Sequence, residues 1–172
     1  MQLTGLHHVT AVSADIRGNH AFYTRALGMR LVKRSVNQDD TSAYHLFYAD
    51  GAGSPGTDLT FFDWRVPRER RGTHAIVETT LRVRDDASLA WWESRLRAQG
   101  IATPGITVRD GRGVLPFEDP EGQRLALVVD GGAGDTPVVW DASPVPAEHQ
   151  LRGLGPVTLS VPDLRHTDLV LQ

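Results

Sequence analysis

Hydrophobic and polar residues alternate along several short stretches of the chain, a pattern typical of β-strands that bury one face. Residues 6–13 alternate in this way. Residues 20–27 have a helical pattern, preceded by Asp15 as a helix cap and followed by Gly28. Three further strand-like runs follow at residues 30–36, 43–48 and 58–62. The first part of the chain is therefore predicted to form a β-α-β-β-β unit.

The same order of elements recurs in the second part of the chain. Residues 74–83 are predicted to form a strand, and Asp85 and Asp86 are expected to open a helix over residues 87–99. Three more strands are predicted at residues 106–109, 114–118 and 124–129. The sequence thus predicts two similar units, at residues 1–66 and 73–130.

A third repeat of the first strand is visible near the end of the sequence. Residues 131–152 are rich in Gly, Pro, Ala and Asp and are predicted to be a linker. Residues 153–161 then resemble residues 5–13, since both begin with Gly-Leu and continue with Val-Thr. Residues 153–172 are therefore predicted to begin a third module, in the N-terminal part of a protein about twice as long. Without its partner strands, this segment is expected to be poorly ordered or docked against a neighbouring copy. The alternative is a short extension that pairs as one more strand.

Composition and charge narrow the class of protein. Hydrophobic residues make up 40% of the chain, enough for a core, and 18 Lys and Arg against 21 Asp and Glu give a net charge of −3. This balance argues against nucleic-acid binding. We find neither a signal-peptide pattern nor an apolar run near the roughly 20 residues that cross a bilayer. We therefore expect a cytoplasmic protein with no membrane partner; its oligomeric state is open, and a homo-oligomer is compatible with the sequence.

The absence of cysteine limits the metal chemistry that the chain can support. With no Cys in the sequence, disulfides and thiolate metal sites are excluded. His, Asp and Glu side chains are left as the available metal ligands.

Five segments of the sequence together resemble the vicinal oxygen chelate superfamily, which includes glyoxalase I, bleomycin-resistance proteins and extradiol dioxygenases. These segments are LHHVT, FYTRALGMRLVKRSVNQDD, YHLFYAD, GSPGTDLTFF and DPEGQRLAL. The resemblance is greatest to ring-cleaving dioxygenases of the hydroquinone-cleaving type, and it covers residues 3–172.

This resemblance implies an α+β fold in which paired βαβββ modules form a curved mixed sheet around a cavity. It also implies a divalent metal, Fe(II) in the dioxygenases, although Mn(II) also suits His and carboxylate ligands. Two His and one carboxylate would bind one face of the metal. The open positions would take a small aromatic diol and O₂ side by side.

The resemblance places His8 at the metal position on the first strand. His7 is expected on the opposite face, because neighbouring strand residues alternate, either in a catalytic role or as a hydrogen-bonded histidine under the sheet. Thr10 shares the face of His8 and is predicted to contact substrate. Tyr44 and His45, on opposite sides of the central strand, are both candidates for binding the substrate.

The equivalent metal positions elsewhere in the chain lack ligands. Glu78 stands where a His is usual, Ala126 where the carboxylate is usual, and Pro156 in register with His8. Proline has no ligating side-chain atom. The resemblance therefore implies one inactive site and one active site, the latter formed by His8 with a His and a Glu located beyond residue 172.

The sequence thus predicts the N-terminal part of an Fe(II)-dependent ring-cleaving dioxygenase that acts on hydroquinone- or catechol-like aromatics with O₂. Alone, this chain is expected to bind metal weakly and to be inactive. One alternative is a non-catalytic binding module like the bleomycin-resistance proteins. Another is a glyoxalase-type lyase using Ni or Zn, although its last-strand carboxylate is missing at Ala126.

Overall fold

The computed structural model describes residues 5–171, and its first half is a βαβββ module. Strand β1 (His8–Ser13) leads into helix α1 (Ile16–Ala21), which continues as a π-helical turn over Phe22–Ala26. The remaining strands are β2 (Arg30–Val36), β3 (Tyr44–Ala49) and β4 (Asp58–Asp63). The sheet order is β1-β4-β3-β2, with β1 parallel to β4 and the other pairs antiparallel.

The second half repeats this topology. Its elements are β5 (Ala75–Val83), α2 (Asp86–Ala98), β6 (Thr107–Arg109), β7 (Arg112–Glu118) and β8 (Arg124–Val129). The sheet order is β6-β7-β8-β5, again with a parallel pair, β5 and β8. The chain then adds β9 (Leu154–Ser160) and α3 (Leu164–Leu171). The predicted α+β fold with mixed sheets is confirmed.

Helix α1 begins earlier than its pattern predicts, at Ile16 instead of residue 20. Gly18 and Asn19 are weak helix formers, but two hydrogen bonds offset their cost. The Asp15 side chain accepts from the Gly18 amide at 3.1 Å, and the Tyr48 hydroxyl donates to Oδ1 of the buried Asn19 at 3.0 Å. No helix within residues 5–171 has the length and apolar character required to cross a membrane.

Strand β9 corrects the expectation that residues 153–172 are poorly ordered. It lies antiparallel on the outer edge of β5, with Glu78 opposite Thr158 and Leu81 opposite Leu154. The edge of β5 has backbone N–H and C=O groups that need partners, and β9 supplies them. This is the pairing described by the alternative interpretation. That the segment begins a third module stays a prediction.

The connection over residues 131–152 is packed against both modules, in contrast to a loose linker. Val145 and Leu151 are buried in it. The indole N–H of Trp92 on α2 donates to the carbonyl of His149 at 2.8 Å, and the Gly51 amide donates to the carbonyl of Val138 at 2.8 Å. Its Gly and Pro content prevents regular strands but does not prevent packing.

The two modules are joined by the turn at residues 119–123. The hydroxyl of the fully buried Tyr23 donates to Asp119 at 3.2 Å. The Glu121 carboxylate accepts from the Ser13 hydroxyl at 2.5 Å and from the Ala14 amide at 2.7 Å. Burial raises the pKa of Tyr23 and the pKa of Asp119. One apolar core continues through both modules, so they pack as a unit.

A buried charge cluster ties the second module to β9. Asp130, whose side chain is 5% exposed, pairs with Arg82 at 3.2 Å and with Arg152 at 2.8 Å. Both arginine side chains are also largely buried. The guanidinium of Arg82 further donates to the carbonyl of Leu154, where β9 begins.

Replacing Asp130 with Ala is expected to destabilise the protein by about 3–5 kcal/mol, because it leaves two buried guanidinium groups without their carboxylate. Urea unfolding followed by circular dichroism measures this change. Asp163→Ala is the matched control, since the Asp163–Arg165 pair lies at the surface, where water screens the two charges. Equal losses of unfolding free energy in Asp130→Ala and Asp163→Ala would contradict the stabilising role of the buried charge cluster.

Candidate metal and substrate site

Strand β1 presents two of the predicted site residues on one face. His8 and Thr10 are exposed on the side away from α1, whereas Val9 and Ser13 are buried on the helix side. The β1–β4 register places Asp58 beside His8 and Thr60 beside Thr10. Neighbouring residues of a parallel pair point to the same side of a sheet. The four side chains therefore form a polar strip across two strands.

Strand alternation predicts that His7 lies on the face opposite to His8, but the structure does not place it there. Its Nδ1 lies 3.1 Å from Nδ1 of His8, and the two ring centroids are 5.2 Å apart in an edge arrangement. The reason is that β1 begins at His8, so His7 precedes the strand and is not bound by its alternation. One Nδ1 must donate and the other accept, and only the arrangement in which Nδ1 of His8 donates leaves a lone pair on Nε2 of His8 for a ligand.

Asp58 is a carboxylate at this site that sequence reasoning did not identify. It is half-buried beside His8, and its Oδ1 is buried without a hydrogen-bond partner among the described residues. Burial raises the pKa of Asp58, while the nearby His8 and His7 act to lower it.

His45 lies on the same face, two strands away on β3. Its Nε2 is 3.0 Å from Oγ1 of Thr60, and its ring packs against Phe62 at 3.9 Å and Phe47 at 4.1 Å between centroids. Burial lowers the pKa of His45, and the charges of His8 and Lys33 lower it further. His45 is therefore a neutral imidazole at neutral pH.

Thr60 connects His45 to Thr10. Its hydroxyl donates to Oγ1 of Thr10 at 2.9 Å, and the side chain is completely buried. Sequence reasoning missed Thr60, although it is the one polar residue inside the apolar run Leu59–Phe62. A polar residue in a buried strand needs a hydrogen-bond partner, and that requirement was the signal that could have identified it.

Tyr44 is not brought to this face. It lies on the opposite side of β3 from His45, about half-exposed, with the guanidinium of Arg34 5.6 Å from its ring centroid. Adjacent strand residues point to opposite faces, so a strand that presents His45 to the site directs Tyr44 away from it.

The second module uses its equivalent positions for structure. Glu78 forms an ion pair with Arg109. Ala126 is buried in a small apolar cluster with Val114 and Val128. The carbonyl of Pro156 accepts a hydrogen bond from Thr80 at 2.6 Å. That this face lacks a metal site stays a prediction.

The described residues include one candidate metal ligand, His8. Within residues 5–171, no group of three or more His, Asp or Glu side chains is arranged to hold a metal ion. His8 has an exposed imidazole, which fits a single position of a His-and-carboxylate set. Residues 5–171 therefore do not supply a complete facial set of three ligands.

Comparison with known proteins identifies the family. Residues 5–127 match the Glyoxalase/Bleomycin resistance protein/Dioxygenase superfamily, and the chain belongs to it. Over 94% of its length it is 44% identical to a Bacillus subtilis (strain 168) protein named as ring-cleaving dioxygenase MhqA. It is 28% identical, over 88% of its length, to a protein named chlorohydroquinone/hydroquinone 1,2-dioxygenase from Sphingobium indicum.

A solved structure shows the same fold. A crystal structure described as a dioxygenase from Bacillus subtilis superposes on 98% of this chain with a TM-score of 0.90 and 32% identity. This chain covers 53% of that structure, 52% of MhqA and 48% of the hydroquinone dioxygenase. The chain thus spans about half the length of the relatives that it matches.

The environment of His45 predicts its titration. Its pKa should lie below the ordinary 6.5, and Lys33→Gln should raise it because a nearby positive charge is removed. NMR titration of the imidazole protons measures both pKa values, with Arg17→Gln on the other side of the sheet as control.

A His45 pKa that is lower in the folded protein means that the unfolded chain binds the proton more readily. The free energy of unfolding should therefore fall as the pH drops below 6.5. A His45 midpoint above 6.5 would contradict this account.

Proposed function

We propose that this chain is the metal-presenting part of an Fe(II)-dependent ring-cleaving dioxygenase that acts on hydroquinone- or catechol-like aromatics with O₂. The observation that carries the proposal is the exposed imidazole of His8 on a face lined by polar and aromatic side chains. The 44% identity to a protein named as a ring-cleaving dioxygenase supports it.

In this proposal His8 binds the metal through Nε2, and His7 holds or moves a proton beside it. The Nδ1 contact between the two rings fixes the tautomer of one ring relative to the other. Such a contact is the usual way in which a neighbouring group orients a metal-ligating imidazole. The metal, when bound, would bring the diol and O₂ together. Mn(II) has the same ligand preference as Fe(II).

The substrate would lie over the face formed by β1, β4 and β3. Thr10 and His45 supply polar contacts, and the rings of Phe47 and Phe62 beside His45 supply an apolar wall for an aromatic ring. Tyr44 is left out of this site because it lies on the other side of the sheet.

The other ligands are proposed to come from residues outside this chain. The relatives are about twice as long as the matched segment, and the described residues do not contain three assembled ligands. A module that docks against the His8 face would supply the second His and the Glu. The present chain then orients substrate and excludes water from one side of the metal.

A metal-free binding module is the second candidate, and the lack of a carboxylate at the expected position on the last strand of each module favours it. The positions on the last strands where a carboxylate is expected hold Thr60 in the first module and Ala126 in the second. The same feature disfavours a glyoxalase-type lyase, because that chemistry needs the carboxylate.

The 172-residue chain alone is expected to lose Fe(II) during gel filtration and to show no ring cleavage of hydroquinone. A single imidazole cannot hold Fe(II) against water. Iron analysis and oxygen-uptake assays measure these properties. Robust ring cleavage by this chain alone would overturn the proposal that other ligands are needed.

Weak binding at His8 is still detectable with Mn(II), whose unpaired electrons broaden nearby NMR signals. We expect broadening of the Thr10 signals, on the same exposed face of β1, and loss of that broadening in His8→Ala. His20→Ala, on α1, is the control and should leave the broadening unchanged. Aromatic binding that persists in His8→Ala, together with no Mn(II) effect in the wild type, would favour the metal-free binding module.

A further inference from the structure

Three side chains on separate strands form one hydrogen-bonded chain at the candidate site. Nε2 of His45 on β3 contacts Oγ1 of Thr60 on β4 at 3.0 Å, and Thr60 donates to Oγ1 of Thr10 on β1 at 2.9 Å. Thr60 is completely buried, whereas Thr10 is exposed beside His8. The chain therefore runs from an imidazole through the sheet face to an exposed hydroxyl.

The number of protons that each side chain carries determines which groups donate and which accept in this series of hydrogen bonds. A threonine hydroxyl has one proton, and Thr60 uses its proton toward Thr10. The Thr60 oxygen must then accept from His45, which requires the tautomer of His45 with its proton on Nε2. Since Thr10 accepts from Thr60, its own proton remains for another acceptor.

The second module shows what a threonine at this position does. Thr80 on β5 pairs with Ala126 of β8 as Thr10 pairs with Thr60. Ala126 has no hydroxyl, so this module has no equivalent relay. The Thr80 hydroxyl instead donates to the carbonyl of Pro156 at 2.6 Å, beyond the strand edge. A carbonyl oxygen only accepts, so the equivalent threonine is a donor to an oxygen atom.

The His45 ring is held in the orientation that this role needs. It lies between Phe62 and Phe47, with centroid distances of 3.9 and 4.1 Å. Both aromatic contacts and the Thr60 hydrogen bond would be disturbed if the ring rotated. A group with locked neighbours positions its partners more accurately than a mobile one.

We propose that His45 is a positioning residue that acts through Thr60 to make the Thr10 hydroxyl a fixed donor to an anionic oxygen of an aromatic ligand, such as a phenolate. The aromatic nature of the ligand rests on the proposed function, whereas the relay itself does not. A fixed donor favours a ligand that presents an acceptor oxygen and disfavours one that leaves the donor unpaired.

Long-range ¹H–¹⁵N NMR of the whole chain at about pH 8, where His45 is neutral, tests the relay. The wild type should carry the His45 proton on Nε2. In Thr10→Val, the Thr60 proton loses its acceptor and should turn to His45, which then carries its proton on Nδ1. Thr10→Ser keeps the hydroxyl and should retain the wild-type tautomer. Thr158→Val, at the equivalent exposed place on β9, is the control.

A switch of the His45 tautomer caused by Thr10→Val is informative because, in the part of the chain that the structure describes, hydrogen bonds join the two residues through Thr60. A purely structural role of Thr10 would not move the proton from one ring nitrogen to the other. An Nδ1 proton in the wild type, or an unchanged tautomer in Thr10→Val, would overturn the relay. Neither result depends on metal binding or turnover, so the outcome is separate from that of the proposed function.

The ligand half of the proposal is tested with 4-nitrophenolate and its methyl ether, 4-nitroanisole, by chemical-shift titration. Nitrophenolate should shift the Thr10 signals, and it should bind about threefold more weakly to Thr60→Val, the loss expected for one hydrogen bond. Nitroanisole should bind the wild type and Thr60→Val equally. Absence of a chemical-shift change at Thr10 with nitrophenolate would overturn the proposal that Thr10 donates to the ligand. The result on the His45 tautomer would not be affected.

Discussion

The placement of the candidate site depends on how the turn at residues 119–123 binds the end of β1. The carboxylate of Glu121 accepts from the Ser13 hydroxyl and the Ala14 amide, and Asp119 accepts from the buried Tyr23. His8 lies on the same strand, so its direction relative to the second module is set by these contacts. The second module thus supplies the groups that hold the first module's strand.

Most of the fold could be predicted from the sequence because strand alternation is a local signal. The two βαβββ units and the shared face of His8 and Thr10 follow from that alternation alone. The position of His7 could not be predicted, since it depends on where β1 begins, and strand ends are set by pairing. The packing of residues 131–152 could not be predicted either, because Gly and Pro content indicates how freely the backbone can move and not which tertiary contacts it makes.

The site was predictable only where single strands define it. Thr60 and Asp58 join it through the pairing of β1 with β4, which brings together residues fifty positions apart. Tyr44 and His45 were equivalent candidates in the sequence, because alternation says that they face opposite ways but not which one faces the site. The β3–β4 register, with His45 opposite Phe62, decides between them.

The resemblance between residues 5–13 and 153–161 has a structural consequence of its own. One copy becomes β1, which runs parallel to its neighbour β4, whereas the other becomes β9, which runs antiparallel to β5. Nearly the same succession of residues therefore accepts neighbours of either direction. The residues of such a strand determine which of its faces is buried. Whether the neighbouring strand runs parallel or antiparallel is determined by the connections in the rest of the chain.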